Sequence, residues 1–161
     1  MSDQVRYRTG ETNPTPIAYK AGVALEIGDF SWLDDADSNT IKPASSFAWT
    51  TDLATTQTNF VLKFVGVNTQ RWDGTNLATG NKDGTLLQHT SGIHEFATAA
   101  NTTLNPGDFV GPDASGTKLL NQQVVKVATK ARAIGVVERA VTSASSVRVR
   151  VFSNKYQPII N

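Results

Sequence analysis

The chain has 161 residues, with 15 Lys and Arg, 14 Asp and Glu, a formal net charge of +1 and no cysteine. That length suits one domain, or one domain with an arm, and the missing cysteines exclude disulfides, thiolate metal sites and a cysteine nucleophile. Only 18% of the residues are charged, against about 25% in a typical soluble domain, and Thr, Ser, Asn and Ala fill the difference, which suits equally a surface that neighbours cover and an ordinary neutral one.

Residues 1–20 read as an extended arm. Pro14-Thr15-Pro16 holds the backbone extended and cannot sit in a central strand. Val5 and Tyr7 alternate with Arg6 and Arg8, which permits a short edge strand within the arm. The N-terminus has no apolar core, so a signal peptide is not expected. No stretch approaches the ~18–20 apolar residues of a membrane span.

From residue 21 strand signals dominate. Val23-Ala24-Leu25-Glu26-Ile27 predicts a strand that runs into the turn Ile27-Gly28-Asp29-Phe30. Phe30-Ser31-Trp32-Leu33 predicts another, stopped by the polar run from Asp34 to Asn39, and Ile41-Lys42-Pro43-Ala44 a third. Asp52 is a good N-cap. Leu53, Gln57, Phe60 and Phe64 then follow at spacings that fit one short helix, against a competing strand through Phe60-Val61-Leu62. The segment 68–86 reads as an inserted loop or hairpin, with turns at Asp73-Gly74 and Asp83-Gly84.

The second half is more regular. Gly92 to Ala97 alternates, with His94 and Phe96 on one face and Ile93 and Glu95 on the other. Pro106-Gly107 predicts a type II turn. Valine-rich runs follow at 123–127 and 133–140. Val147-Arg148-Val149-Arg150-Val151-Phe152 has a strict period of two, with the valines inward and the arginines outward. Together these elements predict an all-β chain: a small barrel or sandwich with at most one short helix.

Candidate chemistry is sparse. His89 and His94 are the only histidines, and with no cluster of further ligands they read as structural residues. Asp35, Asp37 and Asn39 have the alternate spacing of a calcium loop, but Thr40 and Ser46 stand where such a loop needs Gly and Glu. Gly74 to Lys82 lacks the spacing of a phosphate loop. No catalytic residue, metal or cofactor is expected. Lys126, Lys130, Arg132, Arg139, Arg148 and Arg150 make the C-terminal half basic, which a solvated face or subunit contact explains better than nucleic-acid binding. Trp32 and Trp49 fall in apolar patterns. Trp72, beside Arg71 at a turn, is either a contact anchor or a side chain folded over its own hairpin.

The phrase Gly-Asp-Phe occurs twice, at Gly28-Asp29-Phe30 and Gly107-Asp108-Phe109. Each is answered later by a Gly-Val segment, Phe64-Val65-Gly66-Val67 and Ala133-Ile134-Gly135-Val136-Val137. The spacing from Gly28 to Gly66 is 66 − 28 = 38 and from Gly107 to Gly135 is 135 − 107 = 28, so the first copy holds the extra helix and loop. This predicts a shared turn design without requiring a duplication.

In that order, with Lys42-Pro43-Ala44-Ser45, Ser91-Gly92-Ile93-His94-Glu95-Phe96 and the closing Val-Arg-Val strand, the chain resembles the head decoration, or capsid cement, proteins of tailed bacteriophages over roughly residues 21–152. The resemblance implies a small β-barrel or β-tulip domain at 21–161 behind an arm at 1–20. It further implies a non-enzymatic homotrimer on the outside of the virion, made in the host cytoplasm, where it binds the major capsid protein and stabilises the expanded shell. Neither membrane nor direct nucleic-acid binding is expected. Arg6, Tyr7 and Arg8 are the candidate capsid contacts, and Arg71 and Trp72 a candidate exposed-loop contact. The alternatives are a glycan-binding adhesion module that uses Trp72, and a nucleic-acid-binding barrel.

Overall fold

The computed structural model describes residues 6–9, 15–17, 23–37, 40–72, 86–153 and 155, with the backbone alone at 6–9, 15–17 and 86–87. In chain order the strands are β1 (Arg6–Thr9), β2 (Thr15–Ile17), β3 (Phe30–Asp34), β4 (Thr40–Pro43), β5 (Phe64–Asn68), β6 (Leu86–His89), β7 (Ser91–Leu104), β8 (Phe109–Ser115), β9 (Lys118–Lys126), β10 (Gly135–Val137) and β11 (Val141–Phe152). The one α-helix among the described residues, α1, spans Leu53–Lys63. Short 3-10 turns lie at Ala44–Ser46 and Lys130–Arg132.

One sheet has the order β1-β7-β11-β10-β8-β9, and a further parallel contact, Ala97 to Gln123, joins β7 to β9. That contact closes β7, β11, β10, β8 and β9 into a five-stranded barrel, with β1 added outside on β7. The second sheet has the order β2-β6-β5-β3-β4. Of the barrel or sandwich expected, with at most one short helix, the chain forms the barrel, and the described residues hold one short α-helix.

The doubled Gly-Asp phrase is repeated in atomic detail. Asp29 N–H donates to Glu26 O at 3.3 Å and Asp108 N–H to Asn105 O at 3.1 Å. In each turn the aspartate carboxylate accepts from the first residue's amide, Glu26 N or Asn105 N, at 2.9 Å. Gly28 and Gly107 hold φ of +92° and +87°, the left-handed value a type II turn needs at its third residue. Each turn then pairs with the end of its Gly-Val strand. Gly28 N–H donates to Asn68 O at 2.8 Å and Gly107 N–H to Val137 O at 2.9 Å, and both bonds are returned, from Asn68 N–H to Asp29 O and from Val137 N–H to Asp108 O. The registers agree: Phe30 faces Val67 and Ser31 faces Gly66, as Phe109 faces Val136 and Val110 faces Gly135. The correspondence extends to the sheets. Adding five to each strand number of β2-β6-β5-β3-β4 yields β7-β11-β10-β8-β9, the order within the barrel.

The helix is an insertion into this scheme. In the second half the 3-10 turn after β9 leads to β10, whereas in the first α1 intervenes before β5. Asp52 caps it, accepting from Thr55 N at 2.7 Å. That bond to the backbone, before any other cause, lowers the Asp52 pKa. Phe60 and Val61 are buried against the core. Gln57 donates to Pro112 O at 2.8 Å, which ties the helix to β8.

One apolar core runs through both halves. Phe30 and Phe96 meet edge to face at 4.9 Å, a geometry that adds to the burial itself. Val147, Val149 and Val151 point inward as expected, while Arg150 is exposed and Arg148 half-buried.

The strand expected at 23–27 does not form. Leu25 makes only a bridge, its amide and carbonyl exchanging bonds of 2.9 and 2.8 Å with Trp72, because the Glu26–Asp29 turn begins one residue later. The interior of the 68–86 segment, residues 73–85, lies outside the described residues, as does most of the arm. The arm's described pieces, β1 and β2, each pair within the chain, with β7 and β6.

Candidate functional site

β1 occupies the edge of β7 that barrel closure leaves open. Closure is made at Ala97, and β1 pairs with the residues before it: Arg6 with Glu95, Tyr7 with His94 and Thr9 with Ile93. A register shift falls between Tyr7 and Thr9, so Arg8 sits at an irregularity.

The surface beyond this edge alternates in charge. Arg148 pairs with Glu95 in the β11–β7 register, and Glu138 N–H donates to Arg148 O at 2.9 Å. A row of register neighbours thus reads Glu138, Arg148, Glu95, Arg6. Glu138 is engaged by Arg150 through both Nε, at 3.2 Å, and Nη2, at 3.1 Å. Glu95 accepts from Ser146 Oγ at 3.1 Å and lies 3.9 Å from Arg148 Nε.

Arg71 and Trp72 do not behave alike. Arg71 is exposed and its Nε lies 3.2 Å from Glu26 Oε2. Trp72 is half-buried, held through its backbone by Leu25. Its indole Nε1 is buried with no hydrogen-bond partner among the described residues. Asn68 braces the same corner, donating to Glu26 O at 2.8 Å and to Gln70 O, and Gln88 donates to Asn68 Oδ1 at 2.8 Å. Arg71 is thus the member of the pair that a partner can reach freely.

His89 and His94 lie with ring centroids 5.2 Å apart, and His94 stacks on Phe96. Burial first, and the neighbouring His89 second, push the His94 pKa down to about 4. Among the described residues no three His, Asp or Glu side chains group to hold a metal. The two aspartates with calcium-like spacing are taken by lysines: Asp35 lies 2.6 Å from Lys63 Nζ, and Asp37 lies 2.7 Å from Lys42 Nζ, which also holds Asp34 at 2.9 Å. The bond from Lys63 lowers the Asp35 pKa, and the bond to Asp37 raises that of Lys42.

The basic residues of the second half form no continuous bare stripe. Lys126 pairs with Asp108 at 2.9 Å, Arg150 with Glu138, and Lys130 lies over the Phe152 ring. Arg139 makes no ion pair or hydrogen bond among the described residues.

No protein-family model matches the chain, and no curated protein is significantly similar to it in sequence.

Sequence reasoning missed the partnership of the arginines with Glu95 and Glu138. The alternation of Val147 to Val151 places the arginines outward, but which acids face them depends on the registers of β7 and β10. The Glu138-Arg139 doublet just before a strand was the available signal.

Proposed function

We propose that the chain is a capsid decoration protein of a tailed bacteriophage: a non-enzymatic homotrimer that binds the major capsid protein on the outer face of the expanded head and stabilises it. What carries the reading is the state of the sheet edges. Both edges of the second sheet contain proline, Pro16 in β2 and Pro43 in β4, which removes a donor and discourages further pairing. β1 has none. Among the described residues it pairs with β7 on one side only, within the N-terminal arm. An extended arm of this kind can add its backbone to a neighbour's sheet, and many such contacts on one lattice sum through multivalency. The order of motifs and the low charge support the same reading, and Arg6, Tyr7 and Arg8 are the proposed capsid contacts.

The test is deletion of residues 2–16 followed by co-sedimentation with empty expanded heads. The intact chain should pellet with the heads and run in solution at three times its 17.3 kDa mass. The truncated chain should keep its β circular dichroism and stay in the supernatant. Undiminished pelleting by the truncated chain, or a monomeric intact chain that ignores heads, overturns the proposal.

A further inference from the structure

An open cavity of about 290 Å³ lies on the outer face of the barrel where β11 leaves β7. It exists because the register of β11 shifts twice between Val141 and Ser146. Such bulges bend a strand away from its partner. Its walls include Glu95 from β7, Ser146 and Arg148 from β11, and Arg139 and Ala140 from the turn between β10 and β11. That turn is pinned over the strand by the bond from Glu138 N–H to Arg148 O.

The donors here outnumber their acceptors. Glu138 is engaged by Arg150, which removes it as a partner for the cavity. Glu95 takes the Ser146 hydroxyl at 3.1 Å, while its 3.9 Å distance from Arg148 Nε exceeds hydrogen-bond range. Among the described residues neither Arg148 nor Arg139 spends a side-chain N–H on another group. Two guanidinium groups whose N–H donors make no hydrogen bond among the described residues, Arg148 only loosely ion-paired with Glu95, therefore line one cavity, and such forks match a carboxylate's two oxygens.

We infer that this cavity is a carboxylate-binding site, with Arg139 and Arg148 as its two cationic jaws. The two arginines and Glu95 sum to +2 − 1 = +1 on the walls, which a monoanion neutralises. A phosphate dianion doubles the attraction to that net charge, but its desolvation cost is about fourfold that of a monoanion and it leaves a net −1 on the site, so carboxylate is the preferred class. The volume is at the lower limit of the roughly 300–1,000 Å³ of small-ligand pockets, room for a carboxylate on a few carbons and not for a nucleotide. Ala140 and Val141 supply an apolar wall for those carbons. The ligand is either a free small carboxylic acid or an acidic side chain of another protein. The inference stands independently of the capsid reading.

The test is NMR titration of the full chain, following the Arg139 and Arg148 side-chain N–H signals, with sodium acetate, a blocked Ala-Glu-Ala tripeptide, inorganic phosphate and, at matched ionic strength, sodium chloride. Acetate and tripeptide should give saturable shifts confined to the cavity, with phosphate weaker. Arg139→Gln and Arg148→Gln should each weaken binding by about tenfold, as loss of a charged hydrogen bond does. Both residues are at the surface, and unchanged shifts elsewhere check that the variants fold. Tighter binding of the tripeptide than of acetate assigns the site to a protein side chain, and equal or weaker binding to a free acid. Equal shifts with chloride, tighter binding of phosphate, or unaltered affinity in both variants overturns the inference.

Discussion

The two halves of the chain solve one problem in two ways. Each opens on the same Gly-Asp turn, pairs it with a Gly-Val strand in the same register, and arranges its five strands in the same order. They differ in closure. The second half joins its outer strands through Ala97 and Gln123 and becomes a barrel. The first leaves β2 and β4 as proline-bearing edges and inserts α1, which packs on the second half through Gln57 and Pro112. The turn and its paired strand are therefore the conserved design within this chain, and closure is the variable part. The phrase that suggested shared turn chemistry in the sequence marks a repeat of five strands in the structure.

If the halves share one core, cutting the link between them should have the largest effect. Phe96 is fully buried and meets Phe30 across the division. Phe96→Ala should cost about 4 kcal/mol, as large-to-small core changes of this kind do. Its double-mutant cycle with Phe30→Ala should leave about 1 kcal/mol of coupling. Urea denaturation measures both. Additive losses, or two separate unfolding transitions, would show that the halves are independent units.

The joint between the halves carries the next effect. His89 ends β6, and His94 lies close behind it in β7. The His94 pKa falls from 6.5 to about 4 on folding. The native state thus refuses a proton that the unfolded chain accepts below its own value. Stability from the neutral ring is full above pH 6.5 and declines as pH falls toward 4. The slope is about 1.4 kcal/mol per unit and the total about 3 kcal/mol. Urea midpoints measured from pH 7 to 4 should show this decline, and His94→Phe should flatten it. An equal decline in the variant would move the acid sensitivity elsewhere.

What the sequence made legible was local. The period of Val147 to Val151, the cap at Asp52 and the Pro106-Gly107 turn each depend on neighbours within a few residues, and each formed as read. Long-range choices were not legible. β7 runs on to Leu104 through a bulge where Asn101 holds φ of +62°, so no alternation marks its second half. β9 begins at Lys118, ahead of the valine-rich run that signalled it, because its first residues complete a hairpin with β8 at Gly116. The parallel contact that closes the barrel rests on one residue pair distant in sequence. The candidate cavity depends on a register shift and on which acids face which arginines, and neither is written in local pattern.

The smallest effect tests the equivalence of the halves most directly. Gly66 and Gly135 hold matching positions in β5 and β10. A Cβ at Gly135 would lie 2.6 Å from Arg150 O and collide with Val149, and one at Gly66 would collide with His89 O. Neither obstacle is the far end of a flexible side chain, so the strands themselves must part. Gly66→Ala and Gly135→Ala should each cost about 2 kcal/mol by overpacking. Gly107→Ala serves as the control: its Cβ would meet nothing within 4 Å, yet its φ of +87° strains any L side chain, at about 1 kcal/mol. Matching losses at 66 and 135, both larger than at 107, would mean that close strand approach in the two halves carries similar energetic weight. A small loss at 66 beside a large one at 135 would mean that the open sheet can spread where the closed barrel cannot. Closure, and not the shared turn, would then set how much error each half tolerates.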